Sequence, residues 1–408
     1  MPLMLGATGE DILARRGTTE FIGHLKEALY EALAHLPPGD DLALLEELQG
    51  TLDEEIAFED RFIASFATGL DRIDETAEMA VLTAEQRRLR EMVAEYFRRR
   101  ESVPAVQMLC TTVADRLTVA ALRLAVGWME EGGFGPPPAC WCWLVAGRAG
   151  RMEMTPFSGC DAILVHEAEG EAAAWFVGFA NRAAACLEQL GLAGSLGITP
   201  SAPLWRGTME EWRKRIAARI AEGGSDLEWL MRLADLRYVT GDPTLAAGMV
   251  NLVRAMLSAQ QAVLRDTGRR VGMLASGFDF FGRLRLERGG EHRGRLNVGL
   301  YGIMPLVANI RVLTVRHDIP ETGTIARIRG LQRERHLDVA LAERLLRACH
   351  TFGRLAVTAE MAQGSRADGG PYVIPDELSD SELQGLKMGL EAVAAIQRIV
   401  YVAFTGEA

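Results

Sequence analysis

The sequence predicts an α+β protein in which a small mixed sheet is flanked by helices on its N-terminal and C-terminal sides. Three observations point there. Apolar residues recur at helical spacing as far as about residue 132, short apolar runs of strand length come next, and helical periodicity returns from about residue 242. At 408 residues the chain is long enough for two or three cores. The expected division is 1–132, helical; 133–241, α/β; and 242–408, helical.

In the first region Leu52, Ile56, Ile63, Phe66 and Leu70 share one face with acids between them, and Arg87 to Arg100 reads as a basic helix carrying Leu89, Met92, Val93 and Tyr96. Pro37-Pro38-Gly39 breaks the pattern, and Asp40 or Asp41 suits the cap of the next helix. Leu117 to Met129 is a further apolar helix. The run Gly132-Gly133-Phe134-Gly135-Pro136-Pro137-Pro138 ends it and marks the clearest boundary in the chain. Beyond it, Cys140 to Ala146 and Asp161 to Val165 are short apolar runs between polar, Gly-rich turns, as buried strands are. Glu171 to Leu190, Met209 to Ile220 and Leu227 to Arg237 read as helices. Gly289 to Gly294 and Gly364 to Tyr372 interrupt the helices of the last region.

Composition narrows the function classes. Hydrophobic residues at 49% and charged residues at 24% suit a folded chain rather than a disordered one. A net charge of −11 leaves no cation excess for general binding to nucleic acid or anionic membrane. Glu10 and Asp11 cut short the apolar N-terminus, and no run of about 18 uninterrupted apolar residues occurs, so the expectation is a cytoplasmic protein with no membrane span. Six scattered cysteines read as reduced thiols, and Cys140 and Cys142 have no second Cys/His pair at zinc spacing.

The chemistry lies in the segment from Trp143 to Leu164. A strand, a turn with Gly147 and Gly150, and a second strand headed by Asp161 can hold a nucleoside triphosphate. The glycines let backbone N–H groups approach phosphate oxygens, Arg148 and Arg151 add positive charge, and Asp161 suits Mg²⁺ against the phosphates. By spacing alone an ordinary tight turn accounts for the same residues.

This segment resembles the active-site region of the nucleotidyltransferase family related to protein-PII uridylyltransferase, in which Gly-Ser-x-Gly-Arg-x-Glu-x-Thr leads to Asp-x-Asp. Gly147, Gly150, Arg151, Glu153, Thr155 and Asp161 match that pattern. Pro203 to Arg206 followed by Trp212 resembles the family's Trp-Arg and later Trp. Leu233 to Asp242 resembles its Asp-Phe-Arg segment, and Gly302 to Val307 with Arg311 and Thr324 its C-terminal helical domain. The likeness runs from about residue 100 to the end. It implies a mixed-sheet nucleotidyltransferase domain, a nucleoside triphosphate bound by Gly147, Arg148, Gly150, Arg151, Glu153 and Thr155, and Mg²⁺ held by Asp161 and Asp235 as catalytic carboxylates. It also implies a protein target or partner.

The departures are as informative. Arg148 stands where the family has Ser, Gly159 stands where it has the first Asp of Asp-x-Asp, and Asn297 and Gly299 stand where it often has Asp and Lys. Two metal ions in such a site need a carboxylate triad, so the expectation is impaired or lost transfer, with a non-catalytic nucleotide-sensing or protein-binding regulator as the alternative. Glu153 and His166 are the other groups able to serve as ligands. Glu291-His292-Arg293 reads as a solvated loop, Trp141 and Trp143 as core, Cys160 as inert, and Arg98-Arg99-Arg100 as a helix end favourably placed against the helix dipole.

Overall fold

The computed structural model describes residues 41–194, 197–222, 226–364 and 370–406. Pro37-Pro38-Gly39, the capping role of Asp40 or Asp41, and most of the loop after Gly364 lie outside the described residues. The chain forms two compact units that divide between Glu95 and Tyr96.

The first unit contains α1 (Asp41–Glu75) and the greater part of α2 (Met79–Arg100). The predicted stripe is buried at Phe66 and Leu70 and partly buried at Leu52, Ile56 and Ile63; Ile73 continues it, and Leu82 and Leu89 are buried on α2. Phe58, Phe62 and Phe66 stack in sequence, with centroids 6.3 and 5.6 Å apart. Glu85 receives Arg72 at 2.8 Å and Arg88 at 2.7 Å, so one nearly buried acid holds both helices.

In the second unit, α3 (Val103–Glu131) precedes β1 (Trp141–Ala146), β2 (Asp161–His166), α4 (Glu171–Gln189), β3 (Arg206–Gly207), α5 (Met209–Glu222), α6 (Asp226–Leu233) and β4 (Arg237–Gly241). The strands form a mixed sheet in the order β3-β2-β1-β4, with β1 antiparallel to both β2 and β4, and β2 parallel to β3. The Gly/Pro segment does end a helix, yet α3 packs on α4 within this unit. One expectation is corrected here: the helix from Leu227 stops at Leu233, and Arg237–Gly241 is a strand. Tyr238, Val239 and Thr240 are strong strand formers, and β1 offers them an open edge.

Then come α7 (Pro243–Ser258), α8 (Gln261–Gly272), β5 (Leu296–Asn297), α9 (Met304–Arg316), α10 (Thr324–Arg333), α11 (Val339–Gln363), β6 (Tyr372–Val373) and α12 (Asp380–Thr405). A single apolar cluster runs from Cys142, Leu144 and Ile163 of the sheet to Phe352 of α11 and Ile396 of α12. The sheet and the C-terminal helices therefore share one core. Helix α12 alone among the described helices has the length and hydropathy of a membrane span. Its stripe of Leu386, Leu390, Val393, Ile396 and Val400 is buried, packed against α8 and α11 as a core helix would be.

Candidate functional site

The site begins where β1 meets β2. Ala146 pairs with Asp161 at the end of the ladder, and the chain then makes one helical turn over Gly147–Gly150 before Arg151 N–H returns to the Gly147 carbonyl at 3.0 Å. Gly147 has φ +58°, and a Cβ there would lie 3.1 Å from Asp161 Oδ2. A Cβ on Gly150 would come within 1.9 Å of the Asp235 carbonyl oxygen. The protein's own groups thus demand both glycines. Arg237, at the head of β4, donates from Nε and Nη2 to the Ala149 carbonyl at 3.1 and 2.9 Å. Its Nη1 and Nη2 also grip Asp115 of α3 at 2.8 and 2.9 Å, which clamps the turn from behind.

Asp235 lies between α6 and β4 and is fully buried. Arg151 Nη1 donates to its Oδ2 at 2.7 Å, and Arg327 Nη1 to its Oδ1 at 2.6 Å. Arg311 spans both oxygens, from Nε at 3.0 Å and Nη2 at 2.5 Å. Arg151 also donates to Glu153 Oε2 at 2.7 Å, and Glu153 Oε1 accepts from Thr324 N–H at 2.7 Å. Three guanidinium groups thus meet two carboxylates inside the protein. Burial alone would raise the Asp235 pKa, but Arg311, Arg327 and Arg151 override it and bring it down to about 2. For Arg151, burial works against the charge and is outweighed by Glu153 and Asp235, so its pKa rises. Arg311 has only Asp235 to offset burial and two like charges, and is lowered to about 10. It remains charged at neutral pH and bears the cluster's surplus positive charge.

The residues expected to bind metal and phosphate have the following surroundings in the structure. Both Asp235 oxygens accept from arginine. The Arg151 guanidinium is similarly engaged by Asp235 and Glu153. Asp161 does lie at the turn, with its Oδ1 2.8 Å from where a Cβ on Gly194 would be. Gly159 has no room for a carboxylate, because a Cβ there would sit 1.9 Å from the Ala193 carbonyl oxygen. His166 is at the far end of β2, paired with Trp141 and stacked on Phe176 at 4.5 Å. Burial lowers its pKa, which favours the neutral ring. Among the described residues no three His, Cys, Asp or Glu side chains come together as a cation site.

Arg148 projects from the turn with about a third of its side chain exposed, and its Nη1 lies 3.5 Å from Thr155 Oγ1 and 3.4 Å from Glu360 Oε1. The Thr155 and Ser158 hydroxyls are 2.7 Å apart. Cys160 is buried, and burial pushes its thiol up, consistent with an inert group. Trp143 is core, and Trp141 packs on Phe179 with centroids 5.0 Å apart. The later tryptophans are also structural: Trp205 and Trp212 both lie against Trp229, at 5.2 and 6.5 Å. Asn297 accepts from Leu300 N–H at 2.8 Å, and His292 stacks on Tyr372 at 3.8 Å.

The sequence reading assigned no role to Arg237, Arg311, Arg327 or Glu360. A signal existed for Arg237, two positions beyond Asp235 in the same run, and for Arg327, three beyond Thr324 and so on the same side of α10. Glu360 gave none, because an acid within a long amphipathic helix looks solvated.

Two family models match the chain. One is described as putative nucleotidyltransferase DUF294 and covers residues 87–226; the other is described as putative nucleotidyltransferase substrate binding domain and covers residues 261–404. Asp235, β4 and α7 fall between the two matched segments. No curated protein matches the chain.

Proposed function

The chain belongs to the putative nucleotidyltransferase family of these two models, and on that premise we propose that it binds a nucleoside triphosphate at the Gly147–Gly150 turn while transferring its nucleotide slowly or not at all. One observation carries this reading: Asp235, the second carboxylate of the expected pair, is wholly buried with three arginines on its two oxygens. With Gly159 backed against Ala193, Asp161 is left as the acid of the turn. Loss of a catalytic metal ligand costs on the order of a thousandfold in rate or more. Phosphate recognition survives that loss, because it draws on a different group. Arg148 is the arginine of the turn that reaches towards solvent, whereas Arg151 is committed inside.

The resemblance of the 147–161 run to protein-PII uridylyltransferase supports a protein side chain as the acceptor and a cytoplasmic setting. The segment matched as a substrate binding domain is the part of the chain on which we place acceptor docking. A regulator that senses nucleotide without turnover uses the same turn and differs only in rate. Titration of Mg-ATP and Mg-UTP into the full chain, beside a labelling assay with the same nucleotides, tests the proposal. Saturable binding with little or no labelling is expected. Brisk labelling that Asp161→Ala abolishes would show that transfer is intact, and absence of binding by either nucleotide would remove the triphosphate from the turn.

A further inference from the structure

Glu360 is a buried acid with an incomplete set of partners. It lies near the end of α11 with 3% of its surface exposed, and Arg148 Nη1 approaches its Oε1 at 3.4 Å, a long contact for an ion pair. Its Oε2 is enclosed and receives no hydrogen bond. A buried acceptor left unsatisfied is costly and calls for a reason. The surroundings offer little relief. Cys110 of α3 has its thiol pushed up first by burial and then by the Glu360 charge, which places that charge in a poorly hydrated space between α3 and the turn. The contact also bridges the two family segments, since Arg148 belongs to one and Glu360 to the other.

We propose that Glu360 is an internal anion occupying the phosphate subsite, and that a triphosphate must take Arg148 from it to bind. The inference rests on the reading of the turn as a triphosphate site and deepens it: Glu360 sets the concentration at which nucleotide is accepted. A phosphate group brings more charge than a carboxylate and pairs with a guanidinium through two parallel N–H bonds, so it outcompetes a single contact of 3.4 Å. Once Arg148 turns to the ligand, the carboxylate loses the ion pair that holds it at the turn.

The test is a titration of inorganic tripolyphosphate, and separately of Mg-ATP, into the full chain as wild type, Glu360→Gln, Arg148→Gln and the double variant, with melting curves to establish folding. Glu360→Gln keeps the shape and removes the charge, and should tighten tripolyphosphate about tenfold, the magnitude of one modest charge competition. Arg148→Gln should weaken binding, and in its background Glu360→Gln should have little effect, because the two residues act through one contact. Glu360→Asp, which draws the carboxylate back from Arg148, should give a smaller tightening and serves if Gln does not fold. Unchanged or weaker binding by folded Glu360 variants, or equal tightening without Arg148, would overturn the inference while leaving the triphosphate site standing. If neither wild type nor variants bind tripolyphosphate or Mg-ATP, the site reading itself fails.

Discussion

Asp235 keeps a full negative charge in a place that water does not reach, and it does so because three guanidinium groups share it. Its folded pKa of about 2 lies below the ordinary 3.8, so the unfolded chain takes up the proton first. The stability this group contributes is therefore complete above about pH 4 and is lost as the pH falls towards about 2. Urea denaturation followed across that window should show the loss, and Asp235→Asn should remove this part of the pH dependence. The same substitution leaves three positive groups short of a counter-charge and should destabilise the protein at neutral pH by about 3–5 kcal/mol, read from the urea midpoint. Gly159 gives a second prediction. Restoring the family's acid with Gly159→Asp drives a Cβ towards the Ala193 carbonyl oxygen. It should lower stability by about 1–3 kcal/mol and bring no gain in labelling, alone or with Arg148→Ser. A melting temperature held at the wild-type value would show that the loop gives way easily.

At the level of elements, glycines set how closely the C-terminal helices approach. A Cβ on Gly268 of α8 would fall 2.2 Å from a ring carbon of Phe404 on α12. Gly268→Ala should cost about 1–3 kcal/mol through forced repacking, measurable by chemical denaturation, whereas the exposed Gly50→Ala should not. The helices were legible from sequence because their apolar stripes carry a period that survives without knowledge of the partner: Phe66 and Leu70 lie buried on the face expected of them. Strand β1 was legible from its short apolar run. Strand β4 was not, since Leu233 and Leu236 carry forward the helical spacing of Leu227 and Leu230, and only pairing with β1 shows where the extended chain begins. The turn from Gly147 to Arg151 is legible in the sequence as a junction of strand, glycine and arginine. Its electrostatics were not readable, because Arg311 and Arg327 arrive from far along the chain and a carboxylate has the same one-letter code whether it faces a metal or an arginine.

For the molecule as a whole, charge is unevenly shared. Residues 41–95 contain 15 Asp and Glu against 5 Lys and Arg, so the first compact unit is strongly acidic, while the second carries the candidate site and the common core. A chain beginning at Met79, which keeps α2 intact, should fold and retain the wild-type affinity for tripolyphosphate. Circular dichroism and the same titration decide this, and a loss of binding would assign the acidic unit a part in the site. The ionic cluster around Asp235 has a different consequence, one for inheritance. Arg151 and Glu153 come from one matched segment, Arg311 and Arg327 from the other, and Asp235 from the stretch between them. A recombination event that exchanged one segment with a relative lacking the complementary charges would enclose an unbalanced ion in the joined protein. The halves can diverge in what they bind, but across this junction they must be passed on together.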